Sequence, residues 1–506
     1  MSLAVIYTRA IYGVQAPSVT VEVHISNGLP GLALVGLPET TVKEARDRVR
    51  SALLNNGFTF PAKRITVNLA PADLPKEGGR YDLPIALAIL AASEQVPLDR
   101  LDKYEFIGEL ALSGALRAVY GAIPAAIAAQ QAGRRLILSV ENSKEVGLIP
   151  AGGSQVAEHL QEVCAFLQGK ADLVTAISPA AAPRTEHDDL AEIIGQEQAK
   201  RALEIAAAGG HNLLLLGPPG TGKTMLASRL NGLLPPLTDQ EALESVAVAS
   251  LLHHPTATLP WRQRPFRAPH HSASMAALVG GGSMPRPGEI SMAHNGVLFL
   301  DELPEFERRV LDALREPLES GEIVISRANA KVRFPARVQL IAAMNPSPTG
   351  HYQGIHNRTP PQQILRYLGR LSGPFLDRFD LSIEVPLLPP GMLSQQCNKG
   401  ENSEQVRERV MLARTRQLTR AGKINALLDN RQVDRHCHLQ AEDAEYLEAT
   451  LIKLGLSVRA WHRILKVART LADLAGEDNI ARCHLSEALG YRCMDRLLTQ
   501  LHRSLE

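Results

Sequence analysis

Four consecutive leucines, Leu213 to Leu216, run into the octapeptide Gly217-Pro218-Pro219-Gly220-Thr221-Gly222-Lys223-Thr224, and a helix-like stretch, Met225 to Leu230, follows. Nothing else in the chain restricts its fold so narrowly. Strand, glycine loop and helix in that order are what a phosphate-binding P-loop requires. The glycines let successive backbone N–H groups converge on one phosphate cluster, and the helix adds the positive end of its dipole. In such a loop Lys223 reaches the outer phosphates of a nucleotide and the Thr224 hydroxyl ligates Mg²⁺. At average composition the pattern arises by chance, in a chain this long, only on the order of a few per cent of the time. The competing reading is a plain glycine turn before a helix. The strand ahead of the loop and the motifs behind it weigh against that.

The loop lies within 506 residues, too many for one typical core. Residues 1–170 alternate strand patterns (Val19–Ile25, Arg64–Leu69) with alanine-rich helices (Asp82–Ala92, Ala122–Ala132), which predicts a mixed α/β domain. Residues 171–189, with Pro179 and Pro183, read as a linker. From 190 to 392 strands and helices alternate around the loop, the pattern of a parallel sheet covered on both faces. Pro389-Pro390-Gly391 opens a second break, and residues 393–506 are nearly all helical in pattern: Ser403–Arg420, Ala441–Leu454, Val458–Ala475 and Leu485–Leu501. The formal net charge is +1, so a nucleic-acid partner has to be met by a local patch. No apolar run approaches the roughly 20 residues of a membrane span. The amino terminus has neither the basic start nor the apolar core of a secretory signal. With five scattered cysteines, these features predict a cytoplasmic protein without a membrane partner.

Val297-Leu298-Phe299-Leu300-Asp301-Glu302 is an apolar strand ending in two carboxylates. Buried parallel strands are apolar throughout and carry active-site residues at their carboxyl ends. Asp301 is the candidate for holding Mg²⁺ and Glu302 for activating the attacking water. Such strands are common; one downstream of a P-loop reads as the second half of an ATPase site. A third apolar strand, Val338 to Met344, ends at Asn345, whose amide can hydrogen-bond a γ-phosphate, or simply turn the chain before Pro346. In Gly373-Pro374-Phe375-Leu376-Asp377-Arg378-Phe379-Asp380, Arg378 reads as an arginine finger toward a neighbouring subunit's ATP, against the ordinary alternative of a salt bridge. Arg459, opening an amphipathic helix after Ser457-Val458, can close over the nucleotide or be a plain surface arginine.

This order of motifs resembles the AAA+ ATPases, with Ile194-Gly195-Gln196 matching the segment near the adenine. Within them the chain is similar to the magnesium-chelatase-subunit-I-like branch, specifically the ComM (YifB) family. Phe266-Arg267-Ala268-Pro269-His270-His271-Ser272-Ala273-Ser274, Val279-Gly280-Gly281-Gly282 and Pro287-Gly288-Glu289-Ile290-Ser291-Met292-Ala293-His294-Asn295-Gly296 carry the resemblance. The last run also resembles the MCM helicases. The resemblance implies an AAA+ parallel sheet with a helical lid and a homo-hexameric ring with ATP and Mg²⁺ between subunits. Lys223 and the loop from Gly217 to Thr224 would bind phosphates. Asn345 would be the first sensor, Arg378 the finger and Arg459 the second sensor. It further implies a motor acting on single-stranded or branched DNA, as in branch migration during recombination of incoming DNA. A magnesium-chelatase-type ATPase subunit and an ATP-dependent protein-remodelling assembly are the alternatives.

The amino-terminal part resembles the Lon-type proteases through Pro71-Ala72-Asp73-Leu74-Pro75-Lys76-Glu77-Gly78-Gly79-Arg80 and Gly108-Glu109-Leu110-Ala111-Leu112-Ser113-Gly114. Arg80 stands at the nucleophilic serine position and Ile123 at the catalytic lysine position. Neither supplies a hydroxyl nucleophile or an amine base, so a non-proteolytic α/β domain is expected. Glu322 to Phe334 reads as a hairpin with Arg327, Lys331 and Arg333 near its tip. In the related helicases this hairpin grips the nucleic-acid backbone; without that resemblance, a solvated hairpin decorated with cations against edge pairing is the default. Many family members carry a four-cysteine zinc site after the sensor asparagine. Here Ser347-Pro348-Thr349-Gly350 and His356-Asn357-Arg358-Thr359-Pro360 replace the thiolates, and no zinc is expected.

Overall fold

The computed structural model describes residues 3–36, 44–74, 76–177, 188–252, 261–282, 285–327, 330–351, 359–391, 400–456 and 458–505. Most of the stretch read as a linker, and the segment after Gly391, lie outside the described residues. The amino-terminal unit is a mixed sheet of eight strands: β1 (Leu3–Arg9), β2 (Ser18–Ser26), β3 (Gly31–Val35), β4 (Arg64–Ala70), β5 (Tyr104–Phe106), β6 (Arg135–Ser139), β7 (Gln155–Ala157) and β8 (Val174–Thr175). Their spatial order is β8-β7-β6-β5-β1-β2-β4-β3. Helix α1 (Asp82–Ala92) has every residue buried, including Asp82, so it is the centre of this unit rather than a cover. Arg48 meets the buried Asp82 carboxylate with two hydrogen bonds, at 2.7 and 3.1 Å. Helix α2 (Ala122–Gln131) covers the other side.

The second unit holds five parallel strands, β9 (Leu213–Leu216), β10 (Phe266–Arg267), β11 (Val297–Leu300), β12 (Gln339–Met344) and β13 (Leu381–Glu384), in the order β10-β11-β12-β9-β13. β9, β11 and β12 are buried at every position, which is why they read as apolar runs, broken only by Gln339, whose amide donates to Ala206 O at 2.8 Å and His211 O at 2.9 Å. Helix α3 (Glu197–Gly209) and helix α4 (Lys223–Leu233) belong to one core cluster against the sheet. A short helix, Met275–Val279, a two-stranded hairpin and a further turn of helix, Glu289–Met292, are inserted between β10 and β11. The hairpin Glu322–Arg327 and Ala330–Pro335 stands apart as its own two-stranded ribbon.

The carboxyl-terminal region is helical: α5 (Ser403–Ala421), α6 (Ala441–Leu454), α7 (Val458–Ala475), α8 (Arg482–Gly490) and α9 (Cys493–Arg503). The single helix expected over Leu485–Leu501 is two. The chain turns at Tyr491-Arg492 because its backbone is spent there on the sheet edge: the Ser382 N–H donates to Tyr491 O at 2.7 Å and the Met494 N–H to Ser382 Oγ at 2.9 Å. Buried His211 joins the carboxyl-terminal helices to the sheet, with Thr470 Oγ1 at 2.8 Å and Asp380 Oδ2 at 3.3 Å. The carboxyl of Asp380, which burial alone would raise, is held below its ordinary value by His211 and nearby cations. No helix among the described residues is long and apolar enough to cross a membrane.

Among the described residues, two contacts between the α/β units stand out. Helix α2 packs on the helix Asp239–Ala249, and Gly121 N–H donates to Ser250 O at 3.0 Å. The turn between β1 and β2 reaches the ribbon: the Tyr12 hydroxyl donates to Lys331 O and accepts from Lys331 N–H, both at 3.1 Å. Next to it Gly13, at φ +61, lies so close that a Cβ would sit 2.5 Å from Val332 Cγ1. Only glycine fits there without displacing the ribbon.

Candidate active site

Strand β9 ends at Gly217, where a Cβ would stand 2.2 Å from Val385 O of the neighbouring strand's exit, so the loop has to begin with glycine. Gly220 and Gly222 follow in the left-handed region, at φ +80 and +84, with open space where a Cβ would point. Gly222 caps α4, so the first orphan N–H groups of that helix face the same side as the loop. Thr221 Oγ1 donates to Pro218 O at 3.1 Å and fixes the loop's own turn.

Lys223 is 8 % exposed. Its ammonium donates to Gly217 O and Pro218 O, both at 2.8 Å, and reaches Asn345 Oδ1 at 3.3 Å. Burial pushes its pKa down, and Asp301 works against that shift. Asn345 arrives there because β12 pairs with β9 in parallel, Met344 against Leu216, so the two strands end together. The Thr224 hydroxyl donates to Asp301 Oδ2 at 2.7 Å. A hydroxyl and a carboxylate side by side at a P-loop are the donor set that suits Mg²⁺, and the glycine cradle with its free N–H groups suits a triphosphate. Glu302 stands in the left-handed region, at φ +51, with its carboxylate mostly exposed. Strain of this kind in a non-glycine residue, at the end of a central strand, is characteristic of functional positions. Gln196 Nε2 donates to Pro386 O at 2.7 Å, tethering Ile194-Gly195-Gln196 beside the exit of β13 and hence beside Gly217.

The structure does not bring every candidate to this point. Arg378 Nη2 bonds Glu319 Oε2 at 2.7 Å, on a face with Asp312, Arg315 and Glu316, and makes no contact with its own P-loop. Arg459 is exposed, with Asp377 as its nearest acid at 3.6 Å. Lys331 and Arg333 are exposed on the ribbon, and Arg333 shares its charge with Glu322 at 3.3 Å. The side chain of Arg327 lies outside the described residues. At the positions where thiolates would stand, Ser347 Oγ and Thr349 Oγ1 are 3.2 Å apart, and Thr349 Oγ1 is 2.7 Å from Thr359 Oγ1. His356, Asn357 and Arg358 lie outside the described residues.

Two features escaped the motif reading. His271 Nδ1 lies 3.1 Å from Glu302 Oε2. β10 pairs with β11 in parallel, Phe266 beside Val297, so continuing that register sets His270-His271 beside Asp301-Glu302, a relation between strands that the motifs alone do not carry. The second is a cavity of about 650 Å³ lined by Glu302 and Asn345 together with Gln363, Arg366, Tyr367 and Arg370.

Comparison with known proteins agrees with this geometry. Family descriptions match three stretches: "Magnesium chelatase, subunit ChlI" over 189–393, "Subunit ChlI of Mg-chelatase" over 21–142, and "Magnesium chelatase, subunit ChlI C-terminal" over 400–492. The chain is 65% identical over 505 residues to the uncharacterized protein YifB of Escherichia coli (strain K12), covering 100% of both. It is 65% identical over 506 residues to the competence protein ComM of Haemophilus influenzae, covering 99% of both. To the magnesium-chelatase 38 kDa subunit of Cereibacter sphaeroides it is 29% identical over 210 residues, 38% of this chain and 57% of that subunit.

Proposed function

This chain belongs to the family of YifB and ComM, AAA+ ATPases of the magnesium chelatase subunit ChlI type, and on that premise we propose that it is an ATP-driven ring motor, a homo-hexamer, that migrates branched DNA. The observation that supports this most is the meeting of Lys223 with Asn345 and of Thr224 with Asp301 at one glycine loop.

Lys223 and the loop N–H groups bind the β- and γ-phosphates, with Ile194 and Gly195 on the adenine side. Glu302 takes a proton from a water whose oxygen bonds to the γ-phosphorus as the bond to the β-phosphate oxygen breaks, leaving ADP and orthophosphate. Mg²⁺ held by Thr224 and Asp301 would neutralise charge on the β- and γ-oxygens. Asn345 orients without adding charge. Arg378 acts in trans, exchanging Glu319 for a neighbour's γ-phosphate, and Arg459 closes from the lid. Arg327, Lys331 and Arg333 contact the DNA backbone, which makes binding salt-dependent. The relative named a competence protein favours a DNA substrate. Peptide hydrolysis is not part of this reading, since Arg80 and Ile123 provide neither nucleophile nor base.

The test is migration of a labelled four-way junction by the purified protein, with Lys223→Ala as control. Junction migration with the parent and none with the variant is expected. ATP turnover that branched DNA does not stimulate, together with no salt-sensitive DNA binding, would remove the motor reading and favour a chelatase-type or protein-remodelling role.

A further inference from the structure

Helix α10, Pro361–Leu368 followed by a turn to Arg370, is held to the core by Ile364, Tyr367 and Leu368. Its opposite face carries Gln363, Arg366 and Arg370, all exposed. With Tyr367 these residues wall the cavity of about 650 Å³ that opens on Glu302 and Asn345. The two arginines on this face are not equivalent. Arg370 is committed: Nη1 donates to Glu305 at 3.2 Å and to Pro304 O at 3.3 Å, and its guanidinium stands over the Tyr367 ring at 5.6 Å from the centroid. Arg366 has no hydrogen bond or ion pair among the described residues.

Two other cations of the proposed site are engaged among the described residues. Lys223 is bound to its own loop and to Asn345, and Arg378 to Glu319 on a different face. A guanidinium with no partner among the described residues, lining the same cavity as the two side chains that would flank the attacked phosphorus, has a charge to receive. Charge spreads over the equatorial oxygens of a γ-phosphoryl group as it transfers, and a planar fork of N–H donors matches two of those oxygens. We propose that Arg366 is a catalytic cation of its own protomer's site, binding the non-bridging oxygens of the terminal phosphate across the cavity. This rests on the ATPase reading above. It adds a cation supplied in cis, distinct from the finger supplied by a neighbour.

The full-length protein with Arg366→Ala and Arg366→Lys tests it. The measurements are steady-state ATP turnover, titration with MgADP and with the MgATP analogue ATPγS, and oligomeric state with nucleotide present. Arg366→Ala is expected to lower kcat at least about tenfold. It should weaken ATPγS binding while leaving MgADP affinity within about twofold and assembly unchanged. Lysine should restore part of the loss. The proposal is overturned if turnover stays within about twofold of the parent, or if ADP and ATPγS affinity fall together. It is also overturned if assembly is lost in step with turnover, which would make Arg366 an interface residue. A parent protein that neither binds nor hydrolyses ATP ends the ATPase reading itself, whereas an active parent with an equally active variant ends only this one.

Discussion

At the amino end of its central helix the first α/β unit buries Arg80 to 4 % exposure, with no hydrogen bond to any of its three guanidinium nitrogens, and packs Ile123 into the core at 0 %. At the carboxyl ends of its central strands the second unit leaves Glu302 mostly exposed and holds Lys223, Thr224, Asp301 and Asn345 by hydrogen bonds to one another or to the loop. Both units have a fold on which catalytic residues can be mounted. In one, the corresponding positions have been absorbed into packing, and burial pushes the Arg80 pKa down for want of a partner. In the other they remain polar, mutually wired and open to a ligand. What separates the two sets of positions is the environment of the side chains, and the fold alone does not supply it.

Substitutions on the two sides of this contrast should behave in opposite ways. The largest effect belongs to Glu302→Gln, which keeps the shape and removes the base: ATP turnover falls by roughly two orders of magnitude or more while nucleotide binding survives. Turnover near the parent's rate would mean that Glu302 is as idle as Arg80. Arg80→Met should leave turnover unchanged and stabilise the amino-terminal unit by about 1–4 kcal/mol, because a buried unpaired charge is exchanged for an apolar side chain of similar volume. Thermal unfolding reads this, and a loss of stability would show that the guanidinium has a partner after all.

The smallest effect is on pH dependence. Burial pushes the Glu145 carboxyl up to about 7, against a hydrogen bond from Asn142. The unfolded chain then ionises first, so the stability of the amino-terminal unit falls as pH rises from the ordinary glutamate range to about 7. Burial lowers the His294 pKa, which Glu244 partly opposes, so His294 stays neutral in the fold while the unfolded chain takes up a proton near its ordinary value of about 6.5. The ATPase unit therefore loses stability as pH falls through that value. Hydrogen exchange followed from pH 7.5 to 5.5, an interval chosen to span both transitions at about 7 and 6.5, should protect one unit more and the other less. Glu145→Gln and His294→Asn should flatten the respective trends.

The parallel sheet was legible because strands buried on both faces must be mostly apolar, and β9, β11 and β12 are, with Gln339 the one polar exception among them. The phosphate loop was legible because its glycines meet constraints that only glycine satisfies. The approach of Asn345 to Lys223 follows from the parallel register of β12 and β9, a relation between strands that the motif reading anticipated only through resemblance. Arg366 and His271 were not singled out, since their significance is spatial: one side chain is free while its neighbour is engaged, and the other meets Glu302 across a strand pair. The break between α8 and α9 was missed for a similar reason. Helical periodicity runs through Tyr491, and only the hydrogen bonds to Ser382 interrupt it.

The Tyr12 hydroxyl, with both bonds to the Lys331 backbone, and Gly13 against Val332 moor the ribbon to the first unit, and the Gly121–Ser250 bond moors that unit to the second. The ribbon is thus one side of a closed linkage and not a free paddle. Any stroke it makes must drag the amino-terminal unit along or slip that mooring, so that unit is placed to bear the recoil.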